Sequence, residues 1–480
     1  MATRAAANIG ERRVMLATPR RVHIVGVGGP GTSAIAIILA EMGHRVSGSD
    51  MHESKVLEQL RDRGITVNVP HRADVVDRCD VVTSSAAVPQ SNIELRAASE
   101  KGIAVLTRAE MLGAITPHAR TVAVAGTHGK TTTTTLLTLM LRAAQLDPGW
   151  LIGADVQQLP ASAHWGADLF VLEADESDSS HLAITAQAAI LTNIDLDHLD
   201  EHGSLAGITA SFDAMLAATD GPLVVCVDDP AAAALAASHD AITYGTSPAA
   251  TVRATDVRLS NGAADFVVRW GGVAQADTTS SNIAVHLPLR GMHNVRNFLA
   301  AFTMAQALGV APATAAAAIS NFAGVHRRFQ VRATHNDATF VDDYAHLPAE
   351  IAAVLTAARD ESDTWRRVVA VFQPNRFHRM ASMSDDYRDA FVAADVVVIT
   401  EIYASGTEPI AGVTGELVVD AIRRAHPGAR VEWVPQRDQL IDFVAREVGP
   451  GDLCISMGCG DIESLPDEVV ARREELSRGR

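Results

Sequence analysis

The chain has 480 residues, 48% of them hydrophobic and 20% charged, which excludes a single small module and wholesale disorder. Forty basic residues against 57 acidic ones leave a formal net charge of −17, so neither a nucleic-acid-coating protein nor a membrane-surface protein is expected. A locally basic phosphate pocket remains compatible with that balance.

At roughly 150 residues per domain the length points to about three domains. Residues 1–20 read as a loose tail with no secretory apolar core, and no apolar stretch reaches the ~20 residues that span a bilayer. The four cysteines (Cys79, Cys226, Cys454 and Cys459) lack zinc-type spacing, so the expectation is a cytoplasmic chain with reduced thiols.

In chain order, RVHIVGV (Arg21–Val27) is an apolar β-branched run that leads into glycines and then a predicted helix, Ser33–Met42. HRVSGSD (His44–Asp50), DVVTSSA (Asp80–Ala86) and IAVLTRA (Ile103–Ala109) read as the next strands. A second strand–glycine–helix start lies at Ala119–Ala144, followed by strands at Asp168–Ala174, Ala188–Ile194 and Pro222–Asp228. Short alternating strands with turn signals between Thr251 and Val285 predict an antiparallel patch, and Gly291–Gly309 reads as a helix. After GVHRRF (Gly324–Phe329) a third alternating block runs through TFVDDYA, RRVVAVFQP, DVVVITEIY, ARVEWVP and DLCISMG. Strands that alternate with helices imply parallel sheets. The predicted fold is therefore α/β in three domains: a Rossmann-like block over 1–118, a P-loop-ATPase-like block over 119–325 and a second Rossmann-like block over 326–480.

Two glycine turns could hold phosphates. Gly26, Gly28 and Gly31 follow the first strand and open a helix, and Asp50 ends the next strand, where it would suit a ribose hydroxyl. The pattern by itself fits a dinucleotide, another diphosphate or a purely structural turn. The second turn, VAVAGTHGKTT (Val122–Thr132), is sharper. Its backbone would cradle β- and γ-phosphates, Lys130 would neutralise charge and the Thr131 hydroxyl would reach Mg²⁺. Val124 occupies the usual first-glycine position, and the five threonines after Lys130 could instead merely cap a helix.

Lysine usage sharpens this reading. Only Lys55, Lys101 and Lys130 occur, and no lysine follows residue 130. A lysine kept under such arginine bias marks a place for a compact ammonium. Glu173, at the end of an apolar strand, and His198, after the next one, are the expected metal partners. Asp175, Glu176, Asp178, Asp195 and Asp197 read equally well as turn or helix caps.

Ten motifs in fixed order carry a resemblance: HIVGVGGPG, VSGSD, AGTHGKTTT, EADESD, TNIDLDHLD, GMHNVRN, GVHRRFQ, DDYAH, FQPNR and MGCGD. With them the chain resembles the Mur ligases of peptidoglycan synthesis over nearly its full length. The resemblance implies that Gly26, Gly28, Gly29 and Gly31, with Ser49 and Asp50, hold the UDP part of a substrate rather than a nicotinamide cofactor. It implies ATP on Gly126, Thr127, His128, Gly129, Lys130, Thr131 and Thr132, with His293, Asn294 and Asn297 towards the nucleotide. Mg²⁺ would rest on Thr131, Glu173 and His198. Arg327 and Asp343 of the third domain would serve the nucleotide, and Tyr344, His346, Arg376 and Arg379 the amino acid.

The activity implied is ATP-dependent joining of L-alanine to the carboxylate of UDP-N-acetylmuramate through an acyl phosphate, by a cytoplasmic monomer or homodimer. Pro30, Thr32, Leu347, Asn375, Thr407 and Cys459 depart from the family pattern, several of them in the third domain. A ligase for glycine, serine or a peptide, and a non-catalytic nucleotide-binding paralogue, therefore stay open as alternatives. A dehydrogenase would explain the first glycine turn but leave the second without a purpose.

Overall fold

The computed structural model describes residues 16–85, 87–197, 202–260, 262–271, 281–359 and 365–478. Among them the named strands form three sheets. In the first, β1 (Arg21–Val25), β2 (Arg45–Ser49), β3 (Thr66–Asn68), β4 (Val81–Ser84) and β5 (Ala104–Leu106) lie in the order β3-β2-β1-β4-β5, every pair parallel. The winding reverses between β1 and β4, and such a crevice at the carboxyl ends of the strands is where open α/β sheets place ligands. Four of the five β1 residues are buried, as a central parallel strand covered on both faces requires.

The second sheet comprises β6 (Arg120–Ala125), β7 (Gly149–Leu151), β8 (Ala163–His164), β9 (Leu169–Glu173), β10 (Ala188–Leu191), β11 (Leu223–Cys226), β12 (Ile242–Gly245), β13 (Val252–Ser260), β14 (Ala263–Trp270) and β15 (Ser281–Leu287). Its order is β15-β14-β13-β12-β11-β10-β6-β9-β7-β8. β6 runs parallel to both β10 and β9, so the second glycine turn leaves the sheet between the end of β10 and the end of β9, which carries Glu173. The stretch predicted as an antiparallel patch becomes β13–β15 at one edge.

In the third sheet β16 (Gln330–His335), β17 (Ala338–Asp343), β18 (Arg367–Phe372), β19 (Val396–Ile399), β20 (Val431–Trp433) and β21 (Asp452–Met457) lie in the order β16-β17-β21-β18-β19-β20. Only the β16–β17 pair is antiparallel. Alternate residues of β18 feed opposite faces: Val368, Ala370 and Phe372 join one apolar cluster, Val369 and Val371 the other.

The chain divides into two compact units, one drawing on Met1–Asp256, Phe266–Val285 and Arg296–Asn321, the other on Val257–Asp265, His286–Val295 and Phe322–Arg480. The first sheet and most of the second share the larger unit, while parts of β13, β14 and β15 fall in the smaller one. One apolar core there joins Ile35, Ile38 and Leu112 to Leu151, Phe170 and Leu172. At ~25 cal/mol per Å² of buried apolar surface, a shared core of this kind opposes independent motion of its halves.

One local expectation needs correcting, and one alternative reading falls away. The helix predicted from Ser33 begins at Pro30, because proline has its φ preset for the first helical position and no N–H to leave unpaired. The threonines after Lys130 do not cap a helix: Gly129 is the N-cap, and the threonines lie inside Lys130–Ala143. Thr135 and Thr138 donate their hydroxyls to the carbonyls of Thr131 and Thr134, both at 2.8 Å, which satisfies polar groups in a buried helix.

Candidate functional site

The first glycine turn is knitted to the end of β2. Gly26 N–H donates to Ser49 O at 2.8 Å, and Gly28 N–H donates to Asp50 Oδ2 at 2.9 Å. Thr32 closes the turn by donating its hydroxyl to Gly26 O at 2.7 Å. Gly29 is the N-cap of the helix Pro30–Glu41, so the free amides of the first helical turn border this crevice. Ser49 is wholly buried, and its hydroxyl donates to Glu94 Oε2 at 2.5 Å.

Glu94 is a residue that sequence reading missed. Its fully buried carboxylate also accepts from Arg72 N–H at 2.7 Å and lies 3.1 Å from His23 Nε2, which ties β1, β2 and the loop after β3 to one group. Burial pushes its carboxyl up, but His23, Ser49 and the Arg72 amide outweigh that and hold it below the ordinary range. Nothing in SNIEL distinguishes Glu94 from an ordinary first-turn helix acid.

The second turn gathers more charge. Lys130 Nζ donates to Gly126 O at 2.9 Å and to Glu176 Oε2 at 2.6 Å. Burial works against the ammonium, yet Glu176, Asp175 and Glu173 together keep its pKa above the ordinary lysine value. Asp175 is also buried, but Lys130 and Arg108 pull its carboxyl down to about 2. The Thr131 hydroxyl donates to Glu173 Oε2 at 3.0 Å, and Gly153 N–H donates to Glu173 Oε1 at 2.5 Å. Burial raises the Glu173 carboxyl. Glu176, read from sequence as an even choice between cap and ligand, is the ion-pair partner of Lys130.

Around this core, His128 N–H donates to Asn193 Oδ1 at 2.8 Å, and His128 Nε2 lies 3.0 Å from Asp195 Oδ2. Thr127 Oγ1 accepts from Asp195 N–H at 2.9 Å, and Thr132 is buried in the first helical turn. Gly129 has φ +82°, and a Cβ there would come within 2.3 Å of Asn297 Oδ1, so Asn297 packs directly on the turn. Its helix, Met292–Ala307, contributes His293 and Asn294 to the smaller unit instead, where the Asn294 amide donates to Arg290 O at 2.8 Å. His198 lies outside the described residues. Among those described, no group of three or more histidine, cysteine, aspartate or glutamate side chains is arranged to hold a metal.

In the smaller unit Arg327 pairs with Asp342 at 2.9 Å and donates to Gly458 O at 2.7 Å. Asp343 accepts from Phe329 and Ala345 N–H, both at 2.7 Å, and burial, opposed by Arg328, still pushes its carboxyl up to about 6. Tyr344 lies beneath the Arg327 guanidinium at 5.1 Å and edge-on to His346 at 5.5 Å. Arg376 caps the helix Phe377–Met383. Arg379 is buried and donates to Asn375 Oδ1 at 2.8 Å, and Phe377 N–H donates to Thr407 Oγ1 at 3.0 Å. Two of the departures from the family pattern therefore hold this helix and its arginine. Burial raises the Cys459 thiol, against the pull of Arg379, Arg376 and Arg327.

Two glycine turns, each between a parallel strand and a helix and one carrying an ammonium among carboxylates, are of the type that binds phosphates in α/β proteins. Three family models match in series: "Mur ligase family, catalytic domain" over residues 21–120, "Mur ligase middle domain" over 124–305 and "Mur ligase, glutamate ligase domain" over 327–460. The chain belongs to the Mur ligase family.

Within it, the chain is 40% identical to a UDP-N-acetylmuramate–L-alanine ligase of Rubrobacter xylanophilus, across 94% of this chain and 100% of that one. It is 41% identical to the ligase of the same name from Acidothermus cellulolyticus, across 94% of each. A crystal structure of the UDP-N-acetylmuramate–alanine ligase MurC from Thermotoga maritima superposes with a TM-score of 0.78 at 27% identity, covering 95% of this chain and 100% of that one. No described helix is long and apolar enough to cross a membrane.

Proposed function

We propose that the protein is an ATP-dependent amide ligase that joins L-alanine to UDP-N-acetylmuramate for peptidoglycan synthesis. The observation that carries this reading is the Lys130 ammonium, lodged between the Gly126 carbonyl and Glu176 at the start of a helix whose next residue, Thr131, bonds Glu173. The identity to curated alanine ligases over nearly the whole chain supports the choice of substrates.

ATP is assigned to Gly126–Thr132 with Asn297, and the UDP group to Gly26, Gly28, Gly29, Gly31 and Asp50. The oxygen donors of Thr131 and Glu173 suit Mg²⁺, a hard cation that is bound through few protein ligands and the phosphates themselves. Thr131 and Gly153 each donate to one oxygen of the buried Glu173 carboxylate, which fixes it beside the first turn of the Lys130 helix. When bound, Mg²⁺ would screen the triphosphate charge.

In the reaction a muramate carboxylate oxygen bonds to the γ-phosphorus and the bond to the β-bridging oxygen breaks, giving ADP and an acyl phosphate. The amine of alanine then bonds to the acyl carbon, loses a proton and expels phosphate, leaving the amide. Lys130 offsets the repulsion between carboxylate and triphosphate, and the helix amides fix the phosphate line. The amino-acid pocket is assigned to the smaller unit, on Tyr344, His346, Arg376 and Arg379. The decisive experiment is phosphate release from ATP, Mg²⁺ and UDP-N-acetylmuramate with alanine, glycine or serine added in turn. Release should require an amino acid and be fastest with alanine; release indifferent to the amino acid would sink the reading.

A further inference from the structure

We propose that Arg108 is a diphosphate-binding residue of the first glycine turn, held by Asp178 until the UDP-sugar arrives. The proposal deepens the reading above and rests on it.

A bound diphosphate brings about two negative charges, and favourable binding of such a group in a partly buried crevice calls for a cation or several aligned donors. The turn Gly26–Gly31 has no basic residue of its own. Arg108 lies against it instead. A Cβ built on Gly31 would stand 2.7 Å from Arg108 Nε and 3.4 Å from Cζ, so the guanidinium rests on the backbone of the first helical turn. Thr107 caps the helix Arg108–Ile115 through a reciprocal bond with Glu110, which fixes where the Arg108 side chain starts.

The guanidinium is not idle. Nη1 lies 2.5 Å from Asp178 Oδ2 and 3.3 Å from Ser180 Oγ, and the paired side chains are only 18% and 20% exposed. Asp178 belongs to the same short acidic segment whose Glu176 pairs with Lys130 at the other turn. One segment thus presents a carboxylate to each of two cations, and each cation flanks a glycine turn at a helix start. A phosphate oxygen can replace a carboxylate oxygen on a guanidinium with the same two-pronged geometry. Asp178 therefore competes with the phosphate for the Arg108 guanidinium.

This predicts opposite responses from the two halves of one ion pair. Binding of UDP-N-acetylmuramate to the full chain is measured by titration calorimetry for the wild type, Arg108→Gln, Arg108→Lys and Asp178→Asn, with thermal unfolding as a control for folding. Arg108→Gln should raise Kd about 10–100-fold, and Arg108→Lys should recover part of that loss. Asp178→Asn should leave Kd unchanged or lower it.

The KM for ATP should stay within about threefold in the Arg108 variants, because Lys130 is untouched. Equal weakening by Arg108→Gln and Asp178→Asn would reduce the pair to a structural tie and overturn the proposal. So would unchanged binding by Arg108→Gln. A wild-type protein that binds no UDP-N-acetylmuramate would sink the underlying reading as well, and that result is distinguishable from the other two.

Discussion

The two glycine turns of the larger unit share a plan, strand to turn to helix, but differ in where their charge comes from. At the second turn the cation is the first residue of the helix itself, and Lys130 bonds the Gly126 carbonyl four residues back. At the first turn the helix opens on Pro30 and Gly31, and the cation that lies against it, Arg108, comes from a helix after β5. On the proposed function, the turn with its own ammonium takes the triphosphate, whose charge must be met at the point of reaction, and the turn that borrows a guanidinium takes a handle that is gripped and never broken.

The largest test of this difference is Lys130→Ala. It should lower phosphate release at least 10³-fold while changing the Kd for UDP-N-acetylmuramate less than threefold, as read by steady-state kinetics beside calorimetry. A parallel loss of both would mean that the turns are not separate binding devices.

Next in size comes a pair of alanine substitutions. Gly129→Ala forces a side chain onto a φ of +82° and into Asn297, and should cost about 2–4 kcal/mol in denaturant unfolding and raise the KM for ATP more than tenfold. Gly31→Ala meets only the flexible Arg108 side chain, so unfolding should change by less than about 1 kcal/mol. Its effect should fall on UDP-substrate binding. Reversed stability effects would break the comparison.

A third test concerns what holds the first turn in shape. Glu94→Gln should cost about 1–3 kcal/mol at neutral pH, because buried donors lose their anionic acceptor. The Glu94 carboxyl sits below its ordinary value of 4.5, so its stabilisation is complete above that pH and is lost as pH falls through the lower folded value. Urea unfolding between pH 3 and 7 should show a flatter acid limb in the variant than in the wild type.

A last test falls on Asp343, whose carboxyl is pushed up to about 6. The folded state keeps this proton after the unfolded chain has lost it, so Asp343 makes stability fall as pH rises from about 4 to 6. Asp343→Asn should remove that component, measurable as a shallower slope over the same interval.

The parts of the site legible in the sequence were those whose partners are local. Gly126, Gly129, Lys130 and Thr131 form one continuous stretch, and Glu173 ends an apolar strand, so both the turn and its acid could be placed. Parallel sheets followed from alternating strand and helix patterns, and the short strands β3, β7, β8 and β12 were missed because two to four residues carry too little periodicity. Glu94, Glu176 and Arg108 were missed or left ambiguous for a different reason. Their roles depend on which distant strand ends the winding brings beside them, and no local spacing records that. Likewise Asn375 and Thr407 read as departures, whereas in the structure they anchor Arg379 and a helix start.

The scarcity of lysine has a practical side. Lys55 and Lys101 are exposed and belong to the block carrying the first sheet, while the Lys130 ammonium is engaged by Glu176 and resists deprotonation. Acylating dyes and crosslinkers that attack neutral ε-amines should therefore decorate only that first block, giving a spectroscopic reporter or a tether for surface immobilisation that leaves the triphosphate cradle chemically untouched.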